Sequence, residues 1–310
     1  MTIRSIAIIG TGVIGTSWAA HFLAHGHDVI AADPAPGAEA RLRAGVDACW
    51  DALTQLGLAP GAARERLRFV ASAEEAAAAA DFVQENGPER PDLKRALFRA
   101  LDAATRPEVV LASSSSGLLP SEIQADCARP ERVLVGHPFN PPHLVPLVEV
   151  VGGARTGAAA IETAMAFYAA TGKRPIHVRR EVAGHIANRL QAALWREAFG
   201  LVERGVASVE DIDTAIAHGP GLRWALLGPF VNLALSGGTG GIRHLLDHLG
   251  PPMDGWWQEL SPTRLTPALA ATVAAGTEAE MGAWDMAAIQ QARDALLIGL
   301  IRDKAKAGLP

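Results

Sequence analysis

Short apolar runs alternate with stretches of helical periodicity through the first 180 residues of the chain. Runs of this length, bounded by glycine, proline or polar residues, predict strands. The predicted strands lie at residues 6–9, 28–32, 68–70, 81–85, 109–112, 132–136, 147–151 and 174–178. Strand alternating with helix favours an α/β fold, here a doubly wound parallel sheet of the Rossmann type.

The pattern changes near residue 182, after which helical periodicity is interrupted by glycine and proline clusters and no strand is predicted. We therefore expect two domains, the α/β domain at 1–183 and an all-helical one at 184–310. The first helix of the second domain carries a wide apolar face between Ile186 and Leu201. Because this face is wider than one packed surface needs, we expect a homodimer that forms through the helical domain.

Three glycines follow the first predicted strand with the spacing G-x-G-x-x-G, at Gly10, Gly12 and Gly15. In a strand-turn-helix unit they allow a tight turn, backbone approach to a pyrophosphate, and close packing of helix on strand. The helix then opens through Val13 and Ile14, whose N–H groups would face the phosphates. A plain glycine-rich turn is the alternative, since the motif alone is weak evidence.

An acidic residue in the right place strengthens the case for a dinucleotide. Asp33 ends the second strand about twenty residues past the glycines, where a carboxylate accepts hydrogen bonds from the adenosine ribose. Its charge would repel the extra phosphate of NADP, so the sequence predicts NAD. Arg41 and Arg43 could soften that repulsion, or they could simply belong to a solvated helix face.

Composition narrows the class of protein. The chain has 310 residues, 49% of them hydrophobic and 20% charged, and a net charge of −5. Nothing here favours binding to nucleic acid or to an anionic membrane surface. No secretory leader or membrane-spanning run is predicted. Cys49 and Cys127 are far apart without a partner motif, so we expect reduced thiols, a cytoplasmic protein and no metal site.

Polar residues follow several predicted strands, at the sheet edge where α/β folds bind ligands. The serine run Ser113–Ser116 and the segment beginning at His137 both follow strands. Glu149 lies inside an apolar run, where a carboxylate is costly to bury without a partner. A His137–Glu149 pair would give a base able to take a proton from an alcohol. The alternatives are a core histidine and an edge-strand carboxylate.

These motifs, in this order, resemble the L-3-hydroxyacyl-CoA dehydrogenase family over essentially the whole chain. The resemblance rests on Gly10–Gly15 with Asp33, the serine run, His137 with Glu149, residues 184–189, and motifs at 208–213 and 228–230. It implies an NAD-dependent oxidation of a secondary alcohol. Within the family, the branches most similar to the chain are the L-carnitine dehydrogenases and the L-gulonate 3-dehydrogenase and lambda-crystallin branch.

The resemblance also implies roles for individual residues. His137 would be the base and Glu149 its partner, while Ser116 and Asn188 would hydrogen-bond the reacting oxygen or its neighbours. The residues matching the family's cofactor contacts are Glu89, Lys94 and Ser114. Ser114 stands where the family usually has asparagine, and Asn188 where carnitine dehydrogenases can carry aspartate.

The substrate expected from these features is a small L-3-hydroxy carboxylate, with L-carnitine as first candidate. Arg223, between glycines and an aromatic, is suited to grip a carboxylate. Trp224 and Phe139 are among the aromatic residues that could hold a trimethylammonium group by cation–π attraction. The alternatives are L-gulonate, a hydroxyacyl-CoA thioester, reduction of a C=N bond, or a crystallin-like structural role. For Arg223 a surface position, and for each aromatic residue a core position, is the simpler alternative.

Overall fold

The structure is a computed structural model and describes residues 2–309. Within that range eight strands form one sheet: β1 (Ser5–Ile9), β2 (Asp28–Ala32), β3 (Leu67–Phe69), β4 (Phe82–Glu85), β5 (Val110–Ser113), β6 (Val133–Pro138), β7 (Leu147–Gly152) and β8 (Arg174–Val178). The strand order is β3-β2-β1-β4-β5-β6-β7-β8. The predicted Rossmann-type α/β fold is confirmed.

Two strands depart from the predicted parallel arrangement, because β7 runs antiparallel to β6 and β8 pairs parallel with β7. The chain between β6 and β7, residues 139–146, contains only turns and bends. A parallel connection needs a crossover of a dozen or more residues, so a link this short returns the chain in the opposite direction. The resulting register places His137 directly across from Glu149.

Helices cover both faces of the sheet. In the first part of the chain they are α1 (Val13–Ala24), α2 (Ala38–Leu56), α3 (Ala73–Ala78), α4 (Pro91–Ala104), α5 (Pro120–Ile123) and α6 (Ala158–Ala170). Successive residues of β1 point to opposite faces, as the pleat requires. Ile6 and Ile8 join the core beneath α1 and α6, whereas Ala7 and Ile9 join the core beneath α3 and α4.

The chain divides into two compact units, Met1–Arg189 and Leu190–Pro310. The remaining helices are α7 (Ala187–Glu203), α8 (Val209–Ala217), α9 (Pro220–Trp224), α10 (Pro229–Ser236), α11 (Gly241–Glu259), α12 (Pro267–Met281) and α13 (Met286–Lys306). Between residues 190 and 309 the structure contains no strand. Polar side chains begin several of these helices, including Ser208, which forms a capping box with Asp211 at α8.

The helical unit leaves much of its apolar surface uncovered. Its few buried hydrophobic side chains are Leu245, Leu269 and Ile298, among the described residues. Leu190 on α7 is 62% exposed and Trp257 on α11 is also 62% exposed. Where such side chains form a patch, they usually mark a contact with another molecule. No helix among residues 2–309 is both long and apolar enough to cross a bilayer.

Candidate active site

The glycine turn after β1 has the shape that a dinucleotide requires. Gly10 has φ +85°, in the left-handed region that favours glycine. A Cβ at Gly15 would lie 1.9 Å from the Gly10 carbonyl oxygen, so α1 can pack against the turn only with glycine there. A Cβ at Gly12 would meet nothing within 4 Å, which leaves open space beside the turn for a phosphate.

The start of α1 faces that space with unpaired amide groups. No side chain caps the helix at Gly12, and the first-turn N–H groups of Val13, Ile14 and Gly15 have no partner within the helix. Val13 is 74% exposed. These features fit a bound pyrophosphate at the helix N-terminus.

Asp33 is fixed at the end of β2 by the same turn. Its Oδ2 accepts hydrogen bonds from Thr11 N at 2.7 Å and Thr11 Oγ1 at 3.1 Å, and its Oδ1 accepts from Ala35 N at 2.8 Å. Partial burial works to raise the pKa of Asp33, but these hydrogen bonds outweigh it and hold the pKa below its usual range. The carboxylate is therefore ionised and oriented for a ribose.

The two arginines of α2 have partners of their own. Arg41 donates to the Pro36 carbonyl at 2.7 Å, and Arg43 pairs with Glu39 at 2.8 Å on an exposed helix face. Neither contacts Asp33 through these bonds, although the charge of Arg41 also helps to lower the pKa of Asp33.

Lys94 and Glu89 lie in a dense polar cluster beside the ends of β4 and β5. Lys94 is buried, and its Nζ donates to Glu85 Oε1 at 2.8 Å and to the Gly87 carbonyl at 3.1 Å. Glu89 accepts from Ser115 Oγ at 2.5 Å and from Gly117 N at 2.9 Å. Burial acts to raise the pKa of Glu89, but these bonds prevail and lower it. The Lys94 ammonium is thus committed to an internal ion pair.

Two serines of the run after β5 differ in environment. Ser114 Oγ donates to Asn86 Oδ1 at 2.7 Å and accepts from Gln84 Nε2 at 2.8 Å and Trp18 Nε1 at 3.2 Å. Its hydroxyl therefore already bonds three protein groups. Ser116 is exposed and available to a ligand.

His137 and Glu149 form the centre of the site. His137 Nδ1 donates to Glu149 Oε2 at 2.8 Å, and both side chains are buried. The other carboxylate oxygen, Oε1, accepts from Ile186 N at 2.8 Å and Ala187 N at 3.0 Å. Burial works to raise the pKa of Glu149, but the bonds from His137 and from these backbone groups lower it overall. The bond to Glu149 fixes the ring so that Nε2 is the nitrogen left for chemistry.

His185 was not predicted as a site residue, although it lies in the segment 184–189 that contributes to the family resemblance. It is fully buried, has φ +50°, and its ring lies 5.3 Å from the His137 ring. Its Nε2 donates to the Ser115 carbonyl at 3.1 Å, and its Nδ1 has no hydrogen-bond partner among the described residues. Burial lowers the pKa of His185. The feature that distinguishes His185 is a positive φ at a non-glycine residue, and the sequence does not show that conformation.

Ser116 and Asn188 are each the next residue in the chain after one that is hydrogen-bonded to His185 or Glu149. Ser116 follows Ser115, whose carbonyl accepts from His185, and Asn188 follows Ala187, whose N–H donates to Glu149. Phe139 is half-buried, with its ring 5.2 Å from that of His137. In the helical unit, Arg223 and Trp224 end α9, and both are exposed.

Comparison with known proteins gives consistent results. Residues 5–182 match the NAD binding domain of 3-hydroxyacyl-CoA dehydrogenase, and residues 184–284 match the C-terminal domain of that enzyme. The L-carnitine dehydrogenase of Pseudomonas aeruginosa is 54% identical, over 99% of this chain and 97% of the relative. The L-carnitine dehydrogenase of Streptomyces griseus is 52% identical, over 97% of this chain and 90% of the relative.

A solved structure is similar over nearly its full length. It is the 5-dehydrogenase of 5-formyl-3-hydroxy-2-methylpyridine 4-carboxylic acid, described as an NAD+-dependent dismutase. The TM-score is 0.85 with 31% identity, over 98% of this chain and 99% of that chain.

Proposed function

The chain belongs to the 3-hydroxyacyl-CoA dehydrogenase family of NAD-dependent oxidoreductases, and we propose that it oxidises the 3-hydroxyl group of L-carnitine to give 3-dehydrocarnitine. Full-length identity of about half to curated L-carnitine dehydrogenases from two bacterial genera carries this choice of substrate. L-gulonate and hydroxyacyl-CoA thioesters are the alternative substrates within the family.

The His137–Glu149 pair supplies the acid–base part of the reaction. His137 Nε2 accepts the proton of the substrate hydroxyl, while Glu149 holds the ring through Nδ1 and stabilises the positive charge that the ring gains. Bound NAD would supply the acceptor for the hydride of the carbon that carries this hydroxyl. Ser116 and Asn188 would hydrogen-bond the reacting oxygen or its neighbours.

The cofactor contacts follow from the turn after β1. Gly10, Gly12 and Gly15 with the first-turn amides of Val13 and Ile14 would hold the pyrophosphate, and Asp33 would hold the adenosine ribose. For the nicotinamide half we propose Glu89, while Ser114 would act indirectly, because its hydroxyl is already bonded to three protein groups. Lys94 would act indirectly, because its ammonium is held by Glu85.

Three side chains are assigned to the substrate itself. Phe139, beside His137, fits the trimethylammonium group, because that group lies within a few bonds of the reacting carbon. For the carboxylate we propose Arg223 with Trp224, on the chemistry of a guanidinium beside an aromatic ring.

The division of labour proposed for the chain is NAD binding by residues 1–183 and substrate binding with homodimer formation by residues 184–310. The uncovered apolar surface of the helical unit supports the homodimer. We propose that the protein is cytoplasmic, because that compartment contains NAD and keeps the two cysteines reduced.

A substrate panel tests this function. Purified protein with NAD and L-carnitine, L-gulonate or L-3-hydroxybutyrate, and with NADH and acetoacetyl-CoA, is followed by NADH absorbance. We expect the highest kcat/KM with L-carnitine. Turnover confined to the thioester would overturn the proposal, and NAD binding without turnover of any substrate would indicate a structural role.

A further inference from the structure

A polar cluster lies in the middle of the sheet, where the surrounding core is apolar. Gln84 on β4 is 0% exposed, yet its side-chain amide is fully used. Its Nε2 donates to Ser114 Oγ at 2.8 Å and to the Gly136 carbonyl at 3.2 Å, and its Oε1 accepts from the Tyr168 hydroxyl at 2.5 Å. A buried amide is tolerated only when satisfied, so the network specifies one geometry.

The cluster continues from Gln84 to the dinucleotide turn. Ser114 Oγ donates to Asn86 Oδ1 at 2.7 Å, and Trp18 on α1 donates its Nε1–H to Ser114 at 3.2 Å. Asn86 packs against the glycine turn so closely that a Cβ at Gly10 would lie 2.9 Å from its carbonyl carbon. We call Gln84, Ser114, Asn86, Trp18 and Tyr168 the Gln84 cluster.

The other end of the cluster reaches the catalytic strand. Gly136, whose carbonyl accepts from Gln84, directly precedes His137 on β6. A Cβ at Gly136 would lie 2.1 Å from the Tyr168 hydroxyl oxygen, so Tyr168 packs directly on the backbone there. One hydrogen-bonded network therefore joins the end of β1, which carries the dinucleotide turn, to the strand that carries the base.

We propose that Gln84 is a positioning residue, which acts through this cluster to set the distance between the dinucleotide turn and His137. The inference rests on the proposed function, because it takes His137 as the base of an NAD-dependent oxidation. In this reaction the hydride leaves the carbinol carbon for NAD, and the proton leaves the oxygen on that carbon for His137. The dinucleotide turn and His137 are held by different strands. A displacement of about 1 Å between such partners can cost about a hundredfold in rate.

The test compares two buried amides of the same unit. Gln84→Met removes the centre of the cluster. Gln124→Met is the matched control, since Gln124 is also 0% exposed and bonds the Pro130 carbonyl at 3.0 Å and Thr156 Oγ1 at 3.2 Å, away from Gly136. Tyr168→Phe removes only one hydroxyl and serves if Gln84→Met does not fold.

The measurements are the melting temperature, the Kd for NAD, kcat with L-carnitine, and the deuterium isotope effect with substrate labelled at the carbinol carbon. We expect both glutamine variants to melt at lower temperature. Only Gln84→Met, and more weakly Tyr168→Phe, should lower kcat, by about tenfold or more, and raise the isotope effect while the Kd for NAD stays unchanged.

Two failures are distinguishable. If the wild type and His137→Ala behave as the proposed function requires, but Gln84→Met and Tyr168→Phe keep the wild-type kcat and isotope effect, the positioning role is wrong and the cluster only stabilises the fold. If the wild type does not turn over L-carnitine, or His137→Ala retains the full kcat, the proposed function is wrong. That failure removes the premise on which the role of Gln84 rests.

Discussion

Glu149 is a buried carboxylate that is stabilised by its hydrogen bonds. It accepts from His137 with one oxygen and from two backbone N–H groups with the other, so both carboxylate oxygens are hydrogen-bonded. Such charge-assisted bonds are stronger than neutral ones. The carboxylate thereby sets the tautomer of His137 and favours the protonated ring that forms during oxidation.

We expect Glu149→Gln to lower kcat by about a hundredfold or more, by analogy with the loss of the orienting carboxylate in hydrolase triads. The amide keeps the shape of the side chain but loses its charge. The decisive measurement is kcat at saturating NAD and substrate, with the Kd for NAD as the check on the fold. A variant with the kcat of the wild type would show that the pair is not needed.

The same carboxylate should contribute to acid sensitivity. Its pKa is lowered in the folded chain, so below its unfolded pKa of about 4.3 the unfolded chain binds more protons and acid favours unfolding. The stabilisation from Glu149 is therefore present above that pH and is lost as pH falls through the folded pKa.

At the scale of elements, the segment 139–146 between β6 and β7 is anchored from both sides. Lys173 Nζ donates to the carbonyls of Pro142 and Val145 and lies 5.1 Å from the centre of the Trp18 ring. On the other side, Ser17 of α1 accepts from His143 N at 2.8 Å. This segment carries Phe139, so the anchors hold the residue proposed to contact substrate.

Lys173 gives this segment a pH dependence that can be measured. Burial lowers the pKa of Lys173 to about 7, whereas in the unfolded chain it is about 10.4. Between these values the unfolded chain binds the extra proton, so the free energy of unfolding rises with pH, by up to about 1.4 kcal/mol per unit. Burial also lowers the pKa of nearby His21 and His25, which therefore titrate below this window.

Urea denaturation of the wild type and of Lys173→Met between pH 7 and 10 checks this prediction. The rise in stability with pH should be present in the wild type and smaller in the variant. Equal slopes in the two proteins would contradict a buried lysine that loses its proton on folding.

Much of the first unit follows from local patterns. The turn at Gly10 and the place of Asp33 are set by residues close together in sequence, and the continuous apolar run of β1 is typical of a strand buried on both faces. The pairing of His137 with Glu149 was predictable because a buried carboxylate needs a nearby partner. These features depend on chemistry that a short stretch of sequence displays.

Features that depend on long-range packing were not predictable. The antiparallel direction of β7 is different, because the short link at 139–146 rules out a parallel crossover and is visible in the sequence. Gln84 lies on a predicted strand, but its partners Ser114 and Tyr168 come from distant segments. The two backbone N–H groups that donate to Glu149 directly follow His185, and the sequence does not reveal the positive φ of that residue.

At the scale of the whole molecule, the uncovered apolar face of α7 is the strongest sign of a partner. Leu190 and Trp195 are exposed on this helix. Burial of such side chains contributes about 25 cal/mol per Å² of apolar surface, which favours association. A second copy of the chain is the occupant we propose.

Sedimentation equilibrium should give twice the 32.4 kDa mass of one chain. Leu190→Glu, which places a charge in the proposed interface, should shift the protein toward the single-chain mass. Leu58→Glu, at an exposed apolar position of the first unit, is the control and should leave the mass unchanged. A wild type that sediments as a single chain would contradict the proposed homodimer.

The most direct test of the account is the rate of NADH formation from NAD and L-carnitine by His137→Ala. His177→Ala is the control, because His177 is an exposed histidine on β8 of the same sheet. We predict that His137→Ala binds NAD like the wild type but loses about 10²–10⁴-fold in kcat, whereas His177→Ala keeps it. An unchanged kcat in His137→Ala would contradict the assignment of His137 as the base.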